Sequence, residues 1–83
     1  MFRREFSRKL PRSIQAVAMR KLWQIDAAAD LRDLRIPPNN RLEALKGSRK
    51  GQHSIRINRR YRVCFRWHQG AAHEVEIVDY HRG

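Results

Sequence analysis

The sequence predicts an α+β domain in which N-terminal helices pack on one face of a small antiparallel sheet, and three observations carry that reading. An apolar set at helical spacing, Ile14, Val17, Ala18, Leu22 and Ile25, lies in the first third of the chain. Pro37-Pro38-Asn39-Asn40 then closes the helical half. From Gln52 onward apolar and polar residues alternate with a period of two, interrupted by short turns. At 83 residues the chain reads as a single domain, residues 1–83, with a thin core.

The elements follow in order. Residues 12–27 are expected to form an amphipathic helix with Pro11 and Ser13 at its start and with Arg20, Lys21 and Gln24 on the face away from the core. Leu31 and Leu34, three apart among charged neighbours, predict a second short helical piece. Arg41 to Leu45 reads as a short extended run, followed by a basic turn bounded by Gly47 and Gly51. Gln52 to Asn58 then places His53, Ile55 and Ile57 on one face, with Ser54 and Arg56 on the other. Tyr61 to His68 is the clearest strand, with Tyr61, Val63, Phe65 and Trp67 inward and Arg62, Cys64, Arg66 and His68 outward. A turn over Gln69 to Ala72 is expected to lead into a last strand from His73 to Tyr80.

Charge narrows the function classes. The chain carries 19 Lys and Arg against 8 Asp and Glu, a formal net charge of +11. Residues 41–68 hold nine of those cations and a single acid, Glu43, whereas residues 69–83 hold three acids and one arginine. A field of this kind favours a polyanionic partner, because each neutralised phosphate releases condensed counterions. No apolar stretch approaches the roughly 18 to 20 residues that span a bilayer, and the basic N-terminus has no apolar signal-peptide region. Cys64 is the single cysteine, so a disulfide-stapled scaffold is excluded and a reducing cytoplasmic setting is expected.

The segment RLEALKGSRKGQHSIRINRRYRVCFRW (residues 41–67) and the closing VDYH (residues 78–81) resemble the HigB branch of the RelE-like toxins of type II toxin–antitoxin systems. Ile25-Asp26-Ala27-Ala28 followed by Asp30-Leu31-Arg32-Asp33-Leu34 is similar to the helix of that family and its exit. The resemblance implies the RelE-like microbial ribonuclease fold and a ribosome-dependent endoribonuclease that cuts mRNA during translation. It also implies a helix-turn-helix, HigA-like antitoxin as partner, the 70S ribosome and mRNA as targets, and DNA contact only through the antitoxin. Two departures stand out. The branch usually begins with a strand and a helix ahead of the stretch matched by Phe6-Ser7-Arg8-Lys9-Leu10, so the family's first strand is expected to be missing here. Many members also carry His-Pro before Leu-Lys-Gly, where this chain has Glu43-Ala44.

Metal-free RNA cleavage needs a base for the 2′-hydroxyl proton, an acid for the departing 5′-oxygen, and cations for the charge on the phosphorane. His81 is the candidate acid, since an imidazole with an unperturbed pKa of about 6.5 exchanges protons at neutral pH. Asp79 reads either as the group that orients His81 or as a surface carboxylate, and Tyr80 either as a base-stacking residue or as a strand-end aromatic. Glu43 reads either as the general base or as half of a structural ion pair. By the resemblance, Lys46 and Arg62 are the clamps on phosphate oxygens; Arg49, Lys50, Arg56 and Arg66 each read either as a contact to the backbone of RNA or ribosomal RNA or as a solvated surface charge. His53 is expected to be a partly buried, hydrogen-bonded strand residue. Neighbouring arginines would lower the pKa of Cys64. Cys64, His68 and His73 lack metal-ligand spacing, so no metal or other cofactor is expected. The competing reading is a non-catalytic basic protein that binds RNA or the ribosome under control of an antitoxin.

Overall fold

A computed structural model describes residues 11–80. Helix α1 spans Arg12–Ala27, the predicted bounds, and buries Ile14, Ala18, Leu22 and Ile25. Its composition is rich in Ala, Arg, Lys, Gln, Leu and Met, which lose little freedom in a helix. The chain turns extended at Ala28 (ψ 129°). Asp30 and Asp33 then form a reciprocal capping box that starts a 3-10 turn, Leu31–Arg35, which buries Leu34. A second 3-10 turn, Pro38–Asn40, closes the helical half.

The four strands are β1 (Glu43–Ala44), β2 (Gln52–Arg56), β3 (Tyr61–His68) and β4 (Ala71–Asp79), antiparallel and in sheet order β1-β2-β3-β4. Helix α1 covers one face, where Ile55, Val63 and Phe65 are fully buried with Leu22 and Leu34. The opposite face carries the basic row. Between β2 and β3, the Asn58 side-chain oxygen accepts from the Arg60 and Tyr61 amides at 2.9 and 2.8 Å, an Asx-type turn. β4 is an edge of this sheet among the described residues, and the stretch on which the missing first strand would bear, residues 1–10, lies outside them.

Four expectations are corrected. Lys21 is buried rather than on the solvent face: its ammonium donates to Asn40 Oδ1, and the Asn40 amide donates to Gln24 Oε1 (3.0 Å) and the Leu34 carbonyl (3.2 Å). Desolvation, and then the neighbouring Arg20, hold Lys21 below its ordinary pKa. The β3–β4 turn is two residues, not four. Gln69 and Gly70 both take positive φ (51° and 76°), the two-residue hairpin geometry that lets His68 pair directly with Ala71. β4 does not alternate uniformly. Cys64 pairs with Glu76 and Arg66 with His73, so β4 carries one extra residue, and Glu74 there adopts φ 53°. This bulge lets Ala72, Val75 and Ile77 all pack on the core, which a strict period of two forbids. The fourth concerns His53. Its ring stacks on Phe65, with centroids 6.2 Å apart, but its buried Nδ1 has no hydrogen-bond partner among the described residues.

Candidate functional site

The open face of the sheet is shaped by what its short residues allow. Ser54 and Cys64, neighbours across β2 and β3, are fully buried although they point away from the helix, because larger side chains lie over them. Arg62 donates its Nε–H to Ser54 Oγ (2.7 Å) and an Nη2 proton to the Arg41 carbonyl (2.7 Å). The same Nη2 lies 3.2 Å from Glu43 Oε1, and the Arg62 side chain is only 13% exposed. Of the two readings left open for Glu43, the ion pair is the arrangement present.

Beside it, the Gly47–Arg49 3-10 turn brings the β1–β2 loop against the end of β4. The groove between them has a volume of about 470 Å³ and is lined by Lys46, Ser48, Arg49, Asp79 and Tyr80 together with Leu45 and Val78. Thus Lys46, Asp79 and Tyr80 share one groove with Arg49, which joins two regions remote in sequence. Tyr80 is held there by its own amide, which donates to the Arg60 carbonyl at 2.6 Å. Its phenol lies 3.8 Å from Cys64 Sγ. Burial, and then the Cys64 contact, raise the Tyr80 pKa, so the phenol keeps its proton at neutral pH. His81 follows directly in sequence and lies outside the described residues, as does any contact between it and Asp79.

Several arginines are engaged by acids of the last strand, two of which, Glu74 and Glu76, the sequence reading left aside. Arg49 is 2.8 Å from Glu76 Oε1 and 3.0 Å from Gln52 Oε1; the bond to Glu76 raises its pKa. Arg66 is paired with Glu74 at 3.4 Å. Arg60 grips Asp79 with two nitrogens, Nε at 3.0 Å from both oxygens and Nη2 at 2.8 Å from Oδ2. Arg56 is half-buried opposite Arg62, and Lys50 is exposed at the end of the 3-10 turn. Of these ion pairs only Arg66–Glu74 joins β3 to β4; Arg49 and Arg60 reach Glu76 and Asp79 from the turns that precede β2 and β3, which the alternation of β4 does not encode. Cys64 departs from expectation, because burial raises its pKa against the opposing pull of Tyr80, Arg49 and Arg62. Among the described residues no three His, Cys, Asp or Glu side chains gather as a metal site, and no helix is long and apolar enough to cross a membrane.

Residues 2–81 match the family described as the RelE-like toxin of type II toxin–antitoxin system HigB. The chain belongs to the HigB-like toxins. It is 51% identical over 65 residues to Toxin HigB-1 of Vibrio cholerae serotype O1, a match covering 78% of this chain and 68% of that one. It is also 39% identical over 59 residues to an uncharacterized protein of Haemophilus influenzae, covering 71% of this chain and 58% of the relative. The α+β architecture, a helix on a four-stranded antiparallel sheet, is the one expected of a RelE-like toxin. As a type II toxin it has an antitoxin for partner.

Proposed function

We propose that this toxin is a ribosome-dependent mRNA endoribonuclease that works without a metal ion, in the cytoplasm, under control of a helix-turn-helix antitoxin of the HigA kind. The observation that supports it best is the groove in which Lys46, Arg49 and Tyr80 meet at the end of β4, one residue before His81. In this reading the 2′-hydroxyl of the scissile nucleotide gives its proton to a water molecule as its oxygen attacks phosphorus, and the 5′-oxygen of the next nucleotide leaves. The products are a 2′,3′-cyclic phosphate and a 5′-hydroxyl end. His81 gives its proton to the departing oxygen. Lys46 and Arg62 offset the charge that builds on the phosphorane, and Tyr80 stacks on a base or donates to phosphate. Asp79, gripped by Arg60, fixes the backbone from which His81 extends. Glu43, paired with Arg62, serves the site by holding that arginine. Arg49, Lys50, Arg56 and Arg66 follow the backbone of the RNA.

Induction of the wild-type chain is expected to arrest growth and to yield mRNA fragments with 5′-hydroxyl ends in a translating extract. His81→Ala is expected to lower cleavage by about 10² to 10⁴, the usual worth of a positioned acid. Lys46→Ala is expected to act through kcat. Intact mRNA under full induction of the wild type would overturn the proposal. Salt-sensitive ribosome binding without cleavage would favour the non-catalytic reading instead.

A further inference from the structure

The least expected feature of the open face is that its best-placed cation is tied down on one side. A guanidinium has five N–H donors in a rigid plane. In Arg62 the Nε and Nη2 edge is spent on Ser54 Oγ, the Arg41 carbonyl and Glu43. Among the described residues Nη1 makes no hydrogen bond. Two local peculiarities converge on this single group. Ser54 sits between Glu43 and Cys64 in the cross-strand row, and its small side chain leaves room for Arg62 to pass over it toward β1. A residue much bulkier than serine or threonine at 54 would block that path, and alanine would leave the path open but supply no acceptor. Arg41, whose carbonyl is the second acceptor, takes φ 47°, a conformation uncommon for a side chain of its kind.

We infer that Ser54 is a positioning residue of the cleavage site: it selects which edge of Arg62 meets the RNA. With Nε held by Ser54, Arg62 addresses a phosphate end-on through Nη1, as a cation fixed in direction. With that edge engaged, it cannot make the side-on, two-pronged grip through Nε and Nη2 that a free guanidinium offers a ground-state phosphate. A fixed donor aimed where charge develops stabilises the transition state without first tightening the ground state. Glu43 and the Arg41 carbonyl complete the mount, so the first strand's role in the site is to hold Arg62. This inference rests on the proposed ribonuclease activity and adds to it a residue and a geometry.

The test is a substitution series at Ser54 in the full chain, read by ribosome-programmed cleavage and by the ¹⁵N side-chain resonance of Arg62 Nε–H. Ser54→Ala is expected to lower kcat about tenfold, the equivalent of one charge-assisted hydrogen bond, while KM stays level or falls. The Arg62 Nε–H signal is expected to exchange faster with solvent in that variant. Ser54→Thr, which keeps the hydroxyl, is expected to restore both. In an Arg62→Lys background, which lacks the Nε donor, Ser54→Ala is expected to cost nothing further. Unchanged kcat in Ser54→Ala, a rise in KM alone, or an unaltered Arg62 resonance would each overturn the assignment. If the wild type cleaves no RNA, the proposed activity falls, and the Arg62 resonance still decides whether Ser54 holds the guanidinium.

Discussion

Cys64 shows how one side chain's chemistry depends on what covers it. On the strand it lies beside arginines, a setting that suggests an activated thiol, yet it is fully buried and its pKa is raised, desolvation being the largest cause. It acts as a small apolar floor beneath Tyr80. The native protein is therefore expected to resist iodoacetamide at neutral pH, with labelling that follows the rate of unfolding; prompt stoichiometric alkylation of native protein would contradict this. Asp30 is an exposed counterpart. Its carboxylate accepts from the Arg32 amide, which lowers its pKa first, with the Arg32 side chain second. Since the folded-state pKa is depressed, its contribution is present above the unfolded value of about 3.9 and is lost as pH falls through the folded value. Asp30→Ala is expected to lower Tm at pH 7 and to converge with the wild type in strong acid, as thermal melts across pH would show.

Among the elements, β4 shows the limit of pattern reading most clearly. Alternation is legible from Val75 to Ile77, but the phase of its first half is not, because one residue with positive φ shifts it. Only the need to bury Ala72 together with Val75 accounts for the bulge at Glu74. Glycine tolerates that φ at no steric cost, and the exposed Arg66–Glu74 pair contributes little. Glu74→Gly is therefore expected to stabilise the fold by about 0.5 to 1 kcal/mol, measured by denaturant unfolding. A loss of that size would show that the ion pair matters more than the backbone strain. Helix α1 is the opposite case. Its bounds and four of its buried apolar residues are readable from spacing, while Lys21 is not, because its partner Asn40 lies 19 residues away in a turn. At β3, where the alternation is uninterrupted, Phe65 is fully buried, and Phe65→Ala is expected to cost about 3 to 5 kcal/mol.

For the whole molecule, the charge of +11 overstates what RNA would meet. Arg49, Arg60, Arg62 and Arg66 each face an intramolecular carboxylate: Glu76, Asp79, Glu43 and Glu74. The last strand thus supplies three of the four acids that temper the basic sheet. Glu76→Gln, which releases Arg49 at the groove, is expected to tighten RNA binding several-fold at low salt, and Lys50→Ala to reduce the salt slope by about 0.7. Filter-binding titrations over a range of salt would check both; unchanged affinity in Glu76→Gln would place Arg49 outside the RNA path.

By itself the sequence determined the α+β class, the helix from Arg12 to Ala27, the strand from Tyr61 to His68, the basic character of one sheet face and the HigB-like family. These depend on local periodicity and on ordered motifs, which neighbouring residues carry among themselves. Tertiary structure alone decided that Lys46 and Arg49 meet Tyr80 across a groove, that Glu43 and Ser54 hold Arg62, and that Cys64 is buried beneath Tyr80. Each of these contacts joins residues separated along the chain, and its partners are set by strand register and by the bulge, which no single segment encodes.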